Sequence, residues 1–202
     1  MSYHGICDSI LSDVENLKNE NHIEMELRLG KFNGSFFDTN VGKDRFMYFM
    51  QGLKKYNGWE KVVSSHTEVF YRESDNLRIT VDENSGDQDI ITKERVLNKD
   101  FQMAHAPYDV RFSISKELPM DDDYEGEMDK KKTKKRTSFI RKNLSIDMTE
   151  CTGDSDDMDS EEMTTYQVEF EIINPREVEN KDQLFNIIHK IKDLFNMLSN
   201  TK

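Results

Sequence analysis

The chain has 202 residues, a length suited to one domain with one core. Hydrophobic residues make up 35% and charged residues 34%, which is unlike an ordinary sandwich and fits a barrel with a wet, charged interior. With 28 Lys+Arg against 40 Asp+Glu the net charge is −12; this excludes broad binding along a nucleic-acid backbone, DNA included, but leaves room for a small cationic pocket gripping one phosphate-rich end.

Cys7 and Cys151 are too few and too far apart for a disulfide framework or a zinc site. The opening MSYHGICDSI lacks a basic start followed by an apolar run, so no signal peptide is visible. The longest apolar stretch is residues 46–50, well short of the roughly 20 a membrane helix needs. A soluble protein with no membrane partner is expected. Its expected place is inside a cell, in cytoplasm, nucleus or a viral replication compartment.

In chain order, the first predicted element is a short amphipathic helix over residues 9–18. Ile10, Leu11, Val14 and Leu17 share one face, with Asp8 or Ser9 as its N-cap. A strand follows at 23–29, then a helix at 43–56 with Phe46, Phe49, Met50 and Leu53 on one side and Gly58 past its end. Period-two segments come next at 60–72, 77–82, 90–97 and 109–118, the turn Asn84-Ser85-Gly86-Asp87 separating the second from the third. Residues 120–133, acidic then basic, read as a mobile loop. Strands at 134–140 and 144–149 precede a second loop at 151–163, almost wholly acidic and polar, expected to be mobile and dispensable. A last strand at 165–173 leads to a helix at 181–198, where Leu184, Ile187, Ile188, Ile191, Leu194, Phe195 and Leu198 fall at helical spacing. Eight strands, few prolines and three helices predict an α+β fold: an antiparallel barrel with helices packed outside.

Several strands alternate apolar with charged residues rather than merely polar ones. Met25, Leu27 and Leu29 interleave with Glu24, Glu26 and Arg28, and Val168, Phe170 and Ile172 with Gln167, Glu169 and Glu171. Leu77, Ile79 and Val81 interleave with Arg78, Thr80 and Asp82. Val110, Phe112 and Ile114 interleave with Arg111, Ser113 and Ser115, in a register that reaches Glu117. A single such strand describes a half-buried sheet facing water. Repetition, with three helices to cover the apolar faces, lets the charged faces close on one another as a tunnel.

Residues i and i+2 of a strand point the same way, about 7 Å apart. If their strands are neighbours, Glu24, Glu26, Glu169 and Glu171 therefore converge. Four such carboxylates repel, and Mg²⁺ or Mn²⁺ relieves the repulsion because hard cations prefer oxygen ligands. The complementary cations are Arg78, Lys93, Arg95, Arg111, Lys134 and Arg136, with Lys93-x-Arg95 and Lys134-x-Arg136 repeating the same-face spacing. Arg grips phosphate oxygens with a fork of donors and Lys acts as a point charge. Paired acids with paired bases point to phosphoryl chemistry on a polyphosphate.

The segments IEMELRLG (23–30), NLRIT (76–80), ITKER (91–95), DVRFSISKE (109–117), KKRTSF (134–139), SIDMT (145–149) and YQVEFEI (166–172) occur in this order. Together they resemble the metal-dependent RNA 5′-triphosphatases of fungal and large-DNA-virus mRNA capping, within the triphosphate tunnel metalloenzymes. The resemblance spans residues 23–173. It implies an eight-stranded antiparallel barrel whose tunnel holds the triphosphate. It further implies metal ligation by Glu24, Glu26, Glu169 and Glu171, and phosphate binding by Arg78, Lys93, Lys134 and Arg136. Glu117 is implied to orient or deprotonate the attacking water, and Asp147 and Thr149 to brace the basic side chains, with Arg28 in support. Gln167 stands where many relatives carry a third acid, and Lys132 where an Arg is common.

The expected activity is removal of the γ-phosphate from 5′-triphosphate RNA, the first step of mRNA capping. The expected partners are the 5′ end of nascent RNA and a guanylyltransferase, covalently linked or associated. The chain ends just past its last helix, so one domain that forms the N-terminal part of a larger capping enzyme is also an expectation. Two rivals remain. One is a small-molecule triphosphatase acting on tripolyphosphate, thiamine triphosphate or nucleoside triphosphate, or a related adenylate cyclase, which competition between RNA and tripolyphosphate separates. The other is a non-catalytic acidic barrel that binds a protein, which Mn²⁺ would not stabilise through Glu24 and Glu169.

Overall fold

Alternation of apolar and charged residues governs the architecture. The computed structural model describes residues 1–121, 126–153 and 164–199. Its elements in order are α1 (Tyr3–Leu17), β1 (Ile23–Phe32), β2 (Phe37–Asp38), α2 (Lys43–Lys55), β3 (Lys61–Arg72), β4 (Leu77–Asp82) and β5 (Gln88–Phe101). They continue with β6 (Asp109–Pro119), β7 (Lys130–Arg141), β8 (Leu144–Gly153), β9 (Thr165–Ile172), a 3₁₀ turn (Pro175–Glu177) and α3 (Lys181–Ser199). Eight antiparallel strands run in the order β1-β6-β5-β4-β3-β7-β8-β9, and β9 pairs back onto β1 to close the barrel. Closure leaves these strands without an open edge. The short β2 pairs only with the far end of β1.

The main apolar core lies between the outer wall of the barrel and the helices. Met25, Leu27 and Leu29 of β1, Val110, Phe112 and Ile114 of β6, and Val168, Phe170 and Ile172 of β9 belong to one buried cluster with residues of all three helices. Full burial of each such side chain stabilises the fold by about 1.5–3 kcal/mol. A smaller cluster, Leu77, Ile79 and Ile90 with Phe70, Val81 and Met128 packed on it, covers the β4–β5 wall. Since the apolar sides of β1, β4, β6 and β9 are turned outward, their charged sides line a lumen; on β3 and β7 the outer face is mixed, and Lys134 and Arg136 lie on the lumen side.

Several element bounds differ from the sequence reading, each for an identifiable reason. Helix α1 starts earlier than residue 9, because Ile6 and Cys7 continue the buried stripe of Ile10 and Val14, and the Ser2 hydroxyl, not Asp8 or Ser9, caps it through Gly5 N at 3.0 Å. Residues 130–133, expected in a loop, are strand: Lys130 pairs with Tyr71 and Lys132 with Val69. Residues 151–153 likewise extend β8; the rest of that expected acidic loop, 154–163, lies outside the described residues. The 3₁₀ turn and β2 had no period to announce them.

Strand β5 runs well past residue 97 because a register shift lies between Arg95 and Leu97, opposite Ser115 and Ile114. The odd residue is Val96, whose side is exposed. On its N-terminal side Lys93 and Arg95 face the lumen with Glu117 and Ser115; beyond it Asn98 and Asp100 do so with Ser113 and Arg111.

One glycine matters for the lumen. Gly30 continues the face of Glu26 and Arg28, and a Cβ there would fall 2.2 Å from the Asp38 carbonyl oxygen and 2.4 Å from the Phe37 ring. Phe37 is buried, and its ring lies between this face of Gly30 and the Arg111 guanidinium, so it covers the lumen side at this position. Gly30→Ala is expected to lower stability by about 1–3 kcal/mol through overpacking. The check is a lower urea midpoint at unchanged m-value; a wild-type midpoint would show that the β1–β2 segment does not press on Gly30.

Candidate active site

The closing strands bring the predicted acids together. Glu26 pairs with Glu171 and Arg28 with Glu169 across β1–β9, while Asp147 and Ser145 of β8 stand opposite Glu169 and Glu171. All of these are on the lumen face. The lumen has room for solvent: Arg28 and Arg136 keep 31% and 32% of their side chains exposed despite their position inside the barrel.

Two networks line it. In the first, Arg28 Nη2 lies 2.8 Å from Glu26 Oε1 and its Nε lies 2.9 Å from Glu169 Oε1. Arg136 spreads its fork over three acceptors: Glu169 at 3.1 Å, Asp147 at 3.2 Å and Thr149 Oγ1 at 3.0 Å. Ser145 donates to Asp147 from the other side. In the second network Lys93 donates to Glu24 and, at 2.8 Å, to Glu117, and the Ser115 hydroxyl donates to Glu24 at 2.8 Å. Glu117 continues to Arg78 at 4.0 Å. The guanidinium of Arg78 and the ammonium of Lys134 then lie over the same ring, Tyr71, at 5.4 and 5.8 Å from its centre.

Two residues predicted to bind phosphate stand apart from this group. Arg111 is forked onto Asp100 at 2.6 and 2.8 Å and stacked on Phe37 at 4.7 Å, so its charge is cancelled locally. Arg95 faces the lumen opposite Ser115 but is exposed, with no carboxylate in contact among the described residues. Sequence reading passed over Tyr71, Ser115 and Ser145. The serines were visible in their strands' alternation, whereas Tyr71 follows Thr67 and Val69 on a face whose charge is confined to Lys61 at the far end of the strand.

The electrostatics divide the acids into two kinds. Burial would raise the Glu169 carboxyl, but Arg28 and then Arg136 bring it down to about 2. Glu24 is lowered too: burial raises it, and Lys93 more than offsets that. Glu26 is pushed up to about 7 by burial and then by Glu169. Glu171 also rises to about 7, through burial and then Asp147 and Glu24. Glu26 and Glu171 are thus register partners whose cations do not offset burial and neighbouring acids: Glu26 shares Arg28 with Glu169, and Glu171 forms no ion pair among the described residues.

That imbalance fits a hard divalent cation. Among the described residues no three His, Cys, Asp or Glu side chains converge closely enough to form a protein cage. Mg²⁺, however, keeps several waters and is held by one or two carboxylates together with substrate phosphates, which Glu26 and Glu171 suit. On the phosphate side, Arg78 Nε is buried without a hydrogen-bond partner among the described residues. A groove of about 740 Å³ between α2, the β7–β8 turn and α3 lies outside the barrel and holds none of these residues.

Residues 54–201 match the family described as mRNA capping enzyme, beta chain, the mRNA triphosphatases. The chain belongs to this family. Among solved structures, the S. pombe Pct1 RNA triphosphatase, determined in complex with the Spt5 CTD, superposes with a TM-score of 0.76 at 17% identity, covering 96% of this chain and 94% of that one. The Mimivirus capping enzyme triphosphatase superposes at 0.65 with 15% identity, covering 95% and 97%. At such identities the likeness is one of fold, and it includes β1, which lies before the family match. No curated protein sequence matches the chain. The capping triphosphatase family and the eight-stranded tunnel barrel expected from the sequence are therefore both found.

The raised acids set a pH dependence. An unfolded Glu titrates near 4.3, about where the fall begins, and the folded Glu26 and Glu171 near 7. Their contribution to stability is present below pH of about 4 and is lost as pH rises to about 7, because the native state holds protons that the unfolded chain has released. Metal-free protein should therefore melt lower at pH 7.5 than at 5.5, and Glu26→Gln should flatten that slope. Added Mn²⁺ should raise the melting temperature more at 7.5, where its ligands are deprotonated. A slope indifferent to both Glu26→Gln and Glu171→Gln would reject this account.

Proposed function

We propose that this chain hydrolyses the γ-phosphate of 5′-triphosphate RNA, giving a 5′-diphosphate end and phosphate, with Mg²⁺ or Mn²⁺ as cofactor. The observation that carries the reading is the lumen itself: Glu26 and Glu171 on the β1–β9 seam with carboxyls raised to about 7, and Arg78 and Lys134 with little acid near them. Only an RNA end enters such a space, which reconciles the substrate with a net charge of −12.

Of the four acids assigned to the metal, Glu26 and Glu171 would hold it directly, and Glu24 and Glu169 would add their charge from within their ion pairs; the metal when bound would neutralise charge gathering on the phosphoryl oxygens. Arg78, Lys93, Lys134 and Arg136 bind and align the phosphates. Glu117, held by Lys93 at 2.8 Å, orients the attacking water and accepts its proton. The new bond forms between water oxygen and γ-phosphorus, and the bridge to the β-phosphate breaks in line. Asp147 and Thr149 fix the fork of Arg136, and Arg28 fixes Glu169. The 5′-diphosphate end is what a guanylyltransferase consumes, so such an enzyme, linked or associated, is the proposed partner. An intracellular site of action goes with it. Preferred hydrolysis of tripolyphosphate over RNA in direct competition would favour the small-molecule alternative.

Phosphate release from γ-labelled triphosphate RNA, with and without metal, tests the activity. Glu171→Ala should reduce turnover by ~10³-fold or more, since the metal supplies several kcal/mol of transition-state stabilisation. Arg136→Lys should fold but turn over slowly, because one ammonium replaces a fork bonded to three acceptors. Near-wild-type turnover in a folded Glu171→Ala protein rejects the metal assignment.

A further inference from the structure

Tyr71 has no role in the reaction as described so far. It lies on β3, in register with Arg78 of β4 and Lys130 of β7, on the strand face that looks into the lumen. Its ring is the shared contact of Arg78 and Lys134.

These two cations differ from Lys93, Arg28 and Arg136 in how much acid they meet, and from the exposed Arg95 in sharing one aromatic ring. Lys93, Arg28 and Arg136 each contact two carboxylates at close range. Arg78 reaches Glu117 only at 4.0 Å; among the described residues its Nε is buried with no hydrogen-bond partner, as is that of Arg28, but Arg28 is held by two carboxylates within 3 Å. Among the described residues no carboxylate forms an ion pair with Lys134. Two like charges brought to one wall repel, and something must hold them there. An aromatic face attracts cations through its quadrupole and carries no net charge to cancel theirs. A carboxylate in that place would hold the pair more firmly but would repel a polyphosphate.

We propose that Tyr71 is a positioning residue for the polyphosphate. Its ring gathers Arg78 and Lys134 while leaving their charge available to the anion. The inference rests on the triphosphate reading above. The ring does this work and the hydroxyl does not, so Phe should replace Tyr and an aliphatic side chain should not.

The test compares wild type, Tyr71→Phe and Tyr71→Leu, with Tyr71→Met as a second ringless variant should Tyr71→Leu fail to fold. Two readouts are taken on the full chain: binding of inorganic tripolyphosphate by calorimetry in chelator, and KM and kcat for triphosphate RNA with Mn²⁺. The ringless variants should bind tripolyphosphate about tenfold more weakly, equal to about 1.4 kcal/mol. Their KM should rise comparably, with kcat within about threefold and a melting temperature near that of wild type. Tyr71→Phe should restore both constants. Wild-type tripolyphosphate binding in a folded ringless variant overturns the proposal, as does equal weakening by Phe and Leu, which would assign the effect to the hydroxyl. Binding of tripolyphosphate by wild type without hydrolysis of RNA would instead overturn the proposed function and leave the role of the ring standing.

Discussion

Glu169 sits between the guanidinium groups of Arg28 and Arg136, and these three side chains come from β9, β1 and β7. The β1–β9 ladder that closes the barrel is short, with register pairs only at Glu26–Glu171, Leu27–Phe170 and Arg28–Glu169. The ion triplet therefore reinforces the seam where backbone pairing is least. Glu169 is almost wholly buried, so loss of either arginine would leave a carboxylate poorly compensated, a change that typically costs several kcal/mol. Replacement of the whole triplet by apolar groups is a different matter and need not destabilise. What the charges secure is a lumen that stays polar and open.

A barrel filled with charge needs its apolar burial elsewhere. Three helices supply it on the side of β1, β6, β8 and β9, and the contact is not apolar alone. Lys99, on the outer face of β5, reaches Ser9 O at 2.8 Å and Asp13 at 2.6 Å on α1, fastening that helix to the wall. Lys18, just past the end of α1, donates to Val178 O at 2.6 Å and ties the helix to the segment after the 3₁₀ turn. The helices thus act on the site indirectly: they keep the strands' apolar faces outward and so decide which residues line the lumen.

Much of this was legible because a strand's period is short and strict. Glu24, Glu26 and Arg28 could be assigned to one face from their spacing, as could Glu169 and Glu171, and both sets occupy the lumen. The paired cations at Lys93, Lys134 and Arg136 were legible on the same basis. What the period could not convey was compensation. Nothing in the spacing says that Arg111 is neutralised by Asp100, or that Glu169 holds two arginines while Glu26 shares one of them. Those facts depend on which strands become neighbours. Tyr71 was missed for a related reason: an aromatic residue at period two reads as core until its neighbours across the sheet are known. The N-terminal turn of α1 and the two-residue β2 are too brief to carry a period at all.

The register shift in β5 has a consequence for comparing this chain with its relatives. Up to Arg95 the odd-numbered residues of the strand look into the lumen, and after Val96 the even-numbered ones do. A relative without the extra residue would present the same pattern one position out of step from here onward. An ungapped alignment across β5 would then set Asn98 and Asp100 against outward-facing positions, and a lumen residue would read as a surface change. A gap of one placed at Val96 keeps both halves in phase, so the bulge marks where such a gap belongs.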